Sequence, residues 1–139
     1  MESTSRPRLA IIGCGSSGLI TLKSALDELP EWEIVCFEKS DQIIGVWGNP
    51  YPGFVSTSTR YTTQFACFPE RDASIEIDHG KSRTEFFRNA EYGEYLTRFA
   101  DAFHLHPHIK LRHQVKRLTR DKNDSGWLLT VQADSQSTE

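Results

Sequence analysis

The hexapeptide Gly13-Cys14-Gly15-Ser16-Ser17-Gly18 constrains this chain more than any other stretch. It closes the apolar run Leu9-Ala10-Ile11-Ile12. It also opens a segment in which Leu19, Leu22, Leu26 and Leu29 recur at helical spacing, with Lys23, Asp27 and Glu28 between them and Pro30 as the stop. Trp32 to Phe37 follows, dense in aromatic and β-branched residues, and ends at Glu38. Strand, glycine turn, helix and strand within roughly 30 residues predict a βαβ unit, with parallel strands joined by a right-handed crossover. The unbroken apolar run before Gly13 predicts a first strand buried on both faces.

In such a unit each glycine of G-x-G-x-x-G has a separate task. Gly13 permits the tight turn, Gly15 lets a pyrophosphate approach the backbone, and Gly18 lets the helix pack closely against the strands. The backbone of Cys14, Ser16 and Ser17 lies where an anion meets a helix N-terminus. Glu38 stands 20 positions beyond Gly18, at the end of the second strand. A carboxylate there accepts both ribose hydroxyls of an adenosine and repels a 2′-phosphate, which favours FAD or NAD over NADP at this first site.

From Ser40 to Arg83 the periodicity fails, and Gly45, Gly48, Pro50, Pro52, Gly53, Pro69 and Gly80 punctuate a Ser/Thr-rich stretch. Trp47, Tyr51, Phe54, Tyr61, Phe65 and Phe68 predict that this long loop is packed against something. Tyr92, Tyr95, Leu96, Phe99, Ala100 and Phe103 then form a helical apolar stripe, with Asn89 placed to cap it. Ile109, Leu111, His113 and Val115 alternate, Asp121 to Gly126 reads as a turn, and Trp127 to Val131 returns as a partner strand. The expected organisation is a disordered N-terminus over 1–8, an ordered domain over 9–132 and a frayed tail over 133–139.

Composition narrows the partners. A chain of 139 residues, 37% hydrophobic and 25% charged, suffices for one domain with a core. A net charge of -3 gives no electrostatic reason to expect nucleic acid or an anionic membrane surface. No stretch reaches the roughly 20 apolar residues of a membrane span. With no signal peptide and three cysteines lacking paired spacing, a reducing, cytoplasmic setting is expected. His104, His106, His108 and His113 do not make a metal site: Pro107 breaks the ligand geometry, and His104 ends a helix, where a cation is favourable. Cys14 reads as filler, not a reactive thiol. Asp72, Glu76, Asp78 and the basic run Arg112 to Arg120 read as a solvated face.

Five segments together resemble the N-terminal part of the flavin-containing monooxygenases. They are Gly13 to Gly18; Phe37-Glu38-Lys39-Ser40; Asp41 through Ile44-Gly45-Val46-Trp47; Thr57-Ser58-Thr59-Arg60 through Cys67-Phe68-Pro69; and Glu94-Tyr95-Leu96 followed by Phe99-Ala100. The resemblance runs from Leu9 to Val131. It implies FAD as cofactor, with Gly45, Val46 and Trp47 as backbone and packing contacts alongside it. It further implies reduction of FAD by NADPH and transfer of one oxygen atom from a flavin hydroperoxide to a soft nucleophile such as an amine or sulfide.

Two positions depart from the family pattern. Ile44 replaces the first glycine of a Gly-Gly-x-Trp turn and is strained if that position needs φ > 0. Thr57, followed by Ser58, stands where the family has an Asn facing flavin and NADP; one hydroxyl cannot present an amide's separate donor and acceptor. No second G-x-G-x-x-G follows Gly18, so the NADPH site is expected to lie largely outside this chain. The chain itself is expected to be an N-terminal fragment or truncated product with an incomplete two-dinucleotide-binding α/β fold. Alternatives are a non-catalytic dinucleotide-binding module, an NAD-dependent dehydrogenase, whose strands and helices should keep alternating, and a flavin disulfide reductase, for which Cys67 lacks a partner. Substrate and oligomeric state leave no mark on the sequence.

Overall fold

The computed structural model describes residues 6–70, 86–88, 90–122 and 125–134. Strands β1 (Arg8–Ile12) and β2 (Glu33–Phe37) pair in parallel from Arg8↔Glu33 to Ile12↔Phe37, with helix α1 (Ser16–Glu28) between them. The Pro7 carbonyl accepts from Glu33 N–H at 2.9 Å, so order begins before the end of the 1–8 segment expected to be disordered. Leu19, Leu22 and Ala25 of α1 share one core with Ile11, Ile34 and Cys36.

The expectation that β1 is buried on both faces is corrected. Ile11 is buried, but Ala10 is exposed and Ile12 is 56% exposed. Burial on both faces needs a layer on each side of the sheet. Here β1 is the edge strand, and no described element covers Ala10 and Ile12.

The sheet's third strand was not anticipated. Ile109 to Val115 is not one strand: β5 (Ile109–Lys110) pairs in parallel with β2, giving the order β1-β2-β5. The chain then breaks at Arg112, which takes φ 57, and restarts as β6 (His113–Arg120). Two short strands meeting at a corner keep the same alternation as one long strand, so the pattern could not separate them. The expected hairpin is present: β6 pairs antiparallel with β7 (Trp127–Ala133), with a bulge between Val115 and Arg117. Strand β7 continues through Ala133, and Asp134 N–H donates to the Arg112 carbonyl at 2.9 Å, so the first two residues of the expected frayed tail are paired. Residues 135–139 lie outside the described residues.

Between β2 and the second long helix, the stretch read as one packed loop contains a 3-10 turn (Gly45–Gly48), β3 (Val55–Thr59) and the single-turn helix α2 (Arg60–Thr63). Strand β3 pairs antiparallel with β4 (Phe86–Arg88). The serines and threonines of β3 carry no apolar alternation, so the sequence did not announce it. Of the aromatic residues expected to pack, Trp47, Phe65 and Phe68 lie against α3 (Glu91–Ala102), which buries Tyr92, Tyr95, Leu96, Phe99 and Ala100; Phe54 packs on Trp47, and Tyr51 and Tyr61 are exposed. Phe65 and Phe68 lie with ring centroids 4.7 and 5.6 Å from Phe99.

Asn89, the expected cap of α3, lies outside the described residues; Glu91 Oε2 accepts from Arg88 N–H at 2.7 Å. At the other end His104 adopts φ 53, the left-handed position usually taken by glycine. Its N–H reaches the Asp101 carbonyl at 3.1 Å and Leu105 N–H reaches the Ala100 carbonyl at 2.9 Å, so backbone hydrogen bonds close the helix. The acidic residues Asp72, Glu76 and Asp78 lie outside the described residues, and Lys116, Arg117 and Arg120 are exposed.

Candidate dinucleotide site

The glycine loop leaves β1 at its carboxyl end, beside the end of β2, where ligands of open α/β sheets bind. Gly13 takes φ +92, and its N–H donates to the Phe37 carbonyl at 2.8 Å. A Cβ on Gly18 would stand 1.9 Å from the Gly13 carbonyl oxygen, so the close helix-strand packing expected of Gly18 is a steric requirement of this fold. Gly15 differs. It has ordinary extended geometry, and a Cβ there would meet nothing nearer than the Gly45 Cα at 3.9 Å. The chain's own packing does not demand glycine at 15.

Gly15 is also the N-cap of α1, and it offers no side-chain acceptor; the first turn carries no acidic residue. The first N–H groups of a helix need partners from outside it, and the macrodipole favours an anion there. An uncapped helix start beside an unobstructed glycine suits a pyrophosphate.

Glu38 is 95% buried: only 5% of its surface remains exposed. Its Oε2 accepts from Cys14 N–H at 2.7 Å and its Oε1 from Ser40 N–H at 2.8 Å. Burial alone would raise its pKa; these backbone bonds, the Ser40 hydroxyl and Lys39 outweigh it and hold the carboxyl below the usual carboxylate value. Each oxygen keeps a lone pair for a ribose hydroxyl. Glu38 therefore also fastens the glycine loop to β2, a role the sequence reading did not assign. Its backbone is held as well, through Glu38 N–H to the Lys110 carbonyl at 2.9 Å and His113 N–H to the Glu38 carbonyl at 2.8 Å.

The Cys14 side chain points into the core beside Cys36. Its hydrogen bond with Cys36, burial and the Glu38 charge push its pKa up, so it stays a thiol. Cys36 Sγ lies 3.5 Å from the Gly13 carbonyl oxygen.

The 3-10 turn crosses directly over the loop. Ile44 N–H donates to the Cys14 carbonyl at 2.9 Å, and a Cβ on Gly45 would stand 3.3 Å from the Gly15 Cα. Ile44 has φ 81, so the suspected strain is real: a β-branched residue occupies the left-handed region. Its side chain rests on α3 at Gly93, where an added Cβ would come within 2.9 Å of Ile44 Cδ1 and 2.8 Å of the Trp47 carbonyl oxygen. A glycine inside an otherwise regular helical stripe is costly and was the available sign of this close approach.

Trp47 packs edge-on to Tyr92 at 4.7 Å and to Phe54 at 5.6 Å, while Val46 is 82% exposed beside it. Ser16 Oγ lies 2.8 Å from the Tyr92 hydroxyl, and Ser17 is exposed. The structure thus brings together Gly13, Cys14, Gly15, Ser16, Gly18, Glu38, Gly45 and Trp47. It does not bring Thr57 and Ser58 into that network: both are exposed on β3, and among the described residues no hydrogen bond joins them to the glycine loop. The described residues contain no group of three His, Cys, Asp or Glu side chains that could hold a metal ion, and no helix long and apolar enough to cross a membrane.

The model of the flavin-binding monooxygenase-like family matches residues 6–138. This chain belongs to that family. Among relatives of this monooxygenase family, the 4-hydroxybenzoate brominase (decarboxylating) of Marinomonas mediterranea is 29% identical over 132 residues, covering 94% of this chain and 23% of that protein. Flavin-containing monooxygenase 3 of Rattus norvegicus is 29% identical over 138 residues, covering 92% of this chain and 24% of that protein. The open crystal structure of cyclohexanone monooxygenase superposes with a TM-score of 0.73 at 26% identity, over 91% of this chain and 24% of that one. The chain thus spans about a quarter of the length of these monooxygenases.

Proposed function

We propose that this chain forms the adenosine-diphosphate end of the FAD site of a flavin-dependent monooxygenase. The observation that carries this reading is the uncapped start of α1 at Gly15, a glycine that the protein's own packing does not require. The N–H groups of Ser16 and Ser17 would hold the pyrophosphate, Glu38 the adenosine ribose, and Gly45 to Trp47 would lie alongside the cofactor.

FAD bound there supplies the redox and oxygen chemistry. The residues of this chain bind it, orient it and exclude water from its phosphate end. At the level of the whole protein the reading extends to NADPH as reductant and a soft nucleophile, an amine or sulfide, as substrate. A second reading, a module that binds the dinucleotide without the chemistry, is favoured by Thr57, whose exposed hydroxyl stands in place of the family's Asn.

The test is gel filtration of the chain after incubation with FAD, followed by flavin absorbance and an NADPH oxidation assay. Co-eluting flavin is expected for the wild type. Gly15→Ala is expected to lose at least tenfold in FAD affinity with its unfolding midpoint unchanged. Equal flavin binding by both proteins, or none by the wild type, sinks the reading. Flavin binding without NADPH oxidation is the expected result for this chain, and oxidation by it would overturn the assignment to one end of the site.

A further inference from the structure

Tyr92 belongs to the apolar stripe of α3 and is 3% exposed. Its hydroxyl, however, faces two elements outside its own helix. It donates to the Thr63 carbonyl of α2 at 3.3 Å and lies 2.8 Å from Ser16 Oγ in the first turn of α1. A phenol has one hydrogen. With that hydrogen on Thr63, Tyr92 accepts from Ser16, and the Ser16 hydroxyl hydrogen points into the protein and away from an anion. The ring of Tyr92 at the same time braces Trp47 at 4.7 Å, and Trp47 belongs to the turn that crosses the glycine loop.

We propose that Tyr92 is a positioning residue for the dinucleotide. It fixes the start of α1 through Ser16 and the crossing turn through Trp47, so that an anion at Ser16 meets the backbone N–H and not the side-chain hydroxyl. The inference rests on the proposed FAD site only for its binding arm; the ordering of the loop by Tyr92 is independent of any cofactor.

A neighbouring residue provides the control. The Tyr95 hydroxyl accepts from Phe65 N–H at 2.6 Å and donates to the Phe68 carbonyl at 2.9 Å, so it fastens the following loop and not the glycine loop. Amide hydrogen exchange on the full chain reads the two regions separately. Leu19 N–H to the Gly15 carbonyl and Ile44 N–H to the Cys14 carbonyl report on the glycine loop, and Phe68 N–H to the Phe65 carbonyl reports on the other.

Tyr92→Phe and Ser16→Ala are each expected to speed exchange at Leu19 and Ile44 about tenfold, and the double variant no more than Tyr92→Phe alone, because Tyr92→Phe already removes the bond to Ser16 together with the one to Thr63. Tyr95→Phe is expected to speed exchange at Phe68 and to leave Leu19 and Ile44 unchanged. The proposal is overturned if Tyr92→Phe leaves the glycine loop unchanged, if Tyr95→Phe perturbs it equally, or if the two single effects multiply. Should Tyr92→Phe fail to fold, Ser16→Ala breaks the same bond from a half-buried side chain and carries the test.

In the binding arm, FAD titration is expected to weaken several-fold and alike for Tyr92→Phe and Ser16→Ala. A loss confined to Ser16→Ala would mean that its hydroxyl meets the ligand directly, and would overturn the proposal. If the wild type binds no FAD but the exchange pattern holds, the FAD reading fails and the positioning role of Tyr92 stands.

Discussion

The two halves of the candidate site are held by different kinds of interaction. From β1 through Glu38 the geometry is a matter of backbone: five residue pairs in parallel register, a glycine at positive φ, a second glycine packed on the first one's carbonyl, and a carboxylate that bonds two N–H groups. From Ile44 through Phe68 it is a matter of side chains seated on α3: Trp47 on Tyr92, Phe65 and Phe68 on Tyr95 and Phe99, and Arg60 between two acids. Backbone geometry dictates residue type position by position. Side-chain packing accepts many solutions of similar volume.

The largest expected effect breaks the second half. Arg60 is 7% exposed, reaches Glu70 at 3.3 Å and Glu91 at 2.5 Å, and lies 4.4 Å over the Phe87 ring. Removing one member of a buried ion pair leaves a buried charge uncompensated, at about 3–5 kcal/mol. Arg98 still meets Glu70 at 2.7 Å, so Arg60→Ala is expected at the lower end, about 3 kcal/mol, in urea unfolding. A loss of under about 1 kcal/mol would place these ion pairs with ordinary surface pairs.

Gly18→Ala makes the corresponding break in the first half. Its Cβ would stand 1.9 Å from a carbonyl oxygen that cannot yield without moving the loop. Overpacking of this kind costs about 1–3 kcal/mol, and a loss of about 2.5 kcal/mol is expected here. The useful contrast is with Gly15→Ala, which should cost binding and not stability. If both glycines prove equally intolerant in unfolding, the distinction between a packing glycine and a ligand glycine is wrong.

These differences explain what was legible in the sequence. The βαβ unit was, because Gly13, Gly18 and Glu38 are dictated by stereochemistry and leave a fixed spacing. The α3 stripe and the β6-β7 hairpin were legible through periodicity. Strands β3 and β5 were not: the first is built from Ser and Thr with no alternation, and the second is two residues long and merges into the pattern of β6. The exposed face of β1 escaped because an apolar run reports what a strand is suited to lie against, not what lies there. The link from Tyr92 to Ser16 spans 76 residues, and no local pattern encodes it.

Glu38 sharpens the comparison through pH. Its folded pKa is depressed, so its stabilising contribution is fully present above the unfolded carboxyl value near 4.5 and is lost as pH falls through the lower folded value. Glu38→Gln keeps one acceptor but turns an amide NH2 toward an N–H donor. The expected cost at neutral pH is about 2 kcal/mol, from hydrogen bonds to a charged group. The gap between wild type and variant should close in unfolding curves taken at successively lower pH below 4.5. A gap independent of pH would mean that the carboxylate charge does not hold the loop.

The smallest net effect is expected at Ile44, where the two kinds of determinant meet on one residue. Its φ of 81 costs about 1–2 kcal/mol for an L-residue with a side chain, and Ile44→Gly relieves that strain. The same substitution removes the side chain that lies against Gly48 and Gly93, and it gives the unfolded chain more freedom, at about 0.5–1 kcal/mol. The gains and losses are of similar size, so the unfolding midpoint should move by less than the equivalent of about 1 kcal/mol in either direction. A clear stabilisation would mean that the contact with α3 contributes little and that the turn is set by backbone preference, like the glycine loop. A clear destabilisation would mean that the Ile44 side chain holds the turn in place, and that the seat on Gly93, not the left-handed backbone, determines which residue stands at position 44.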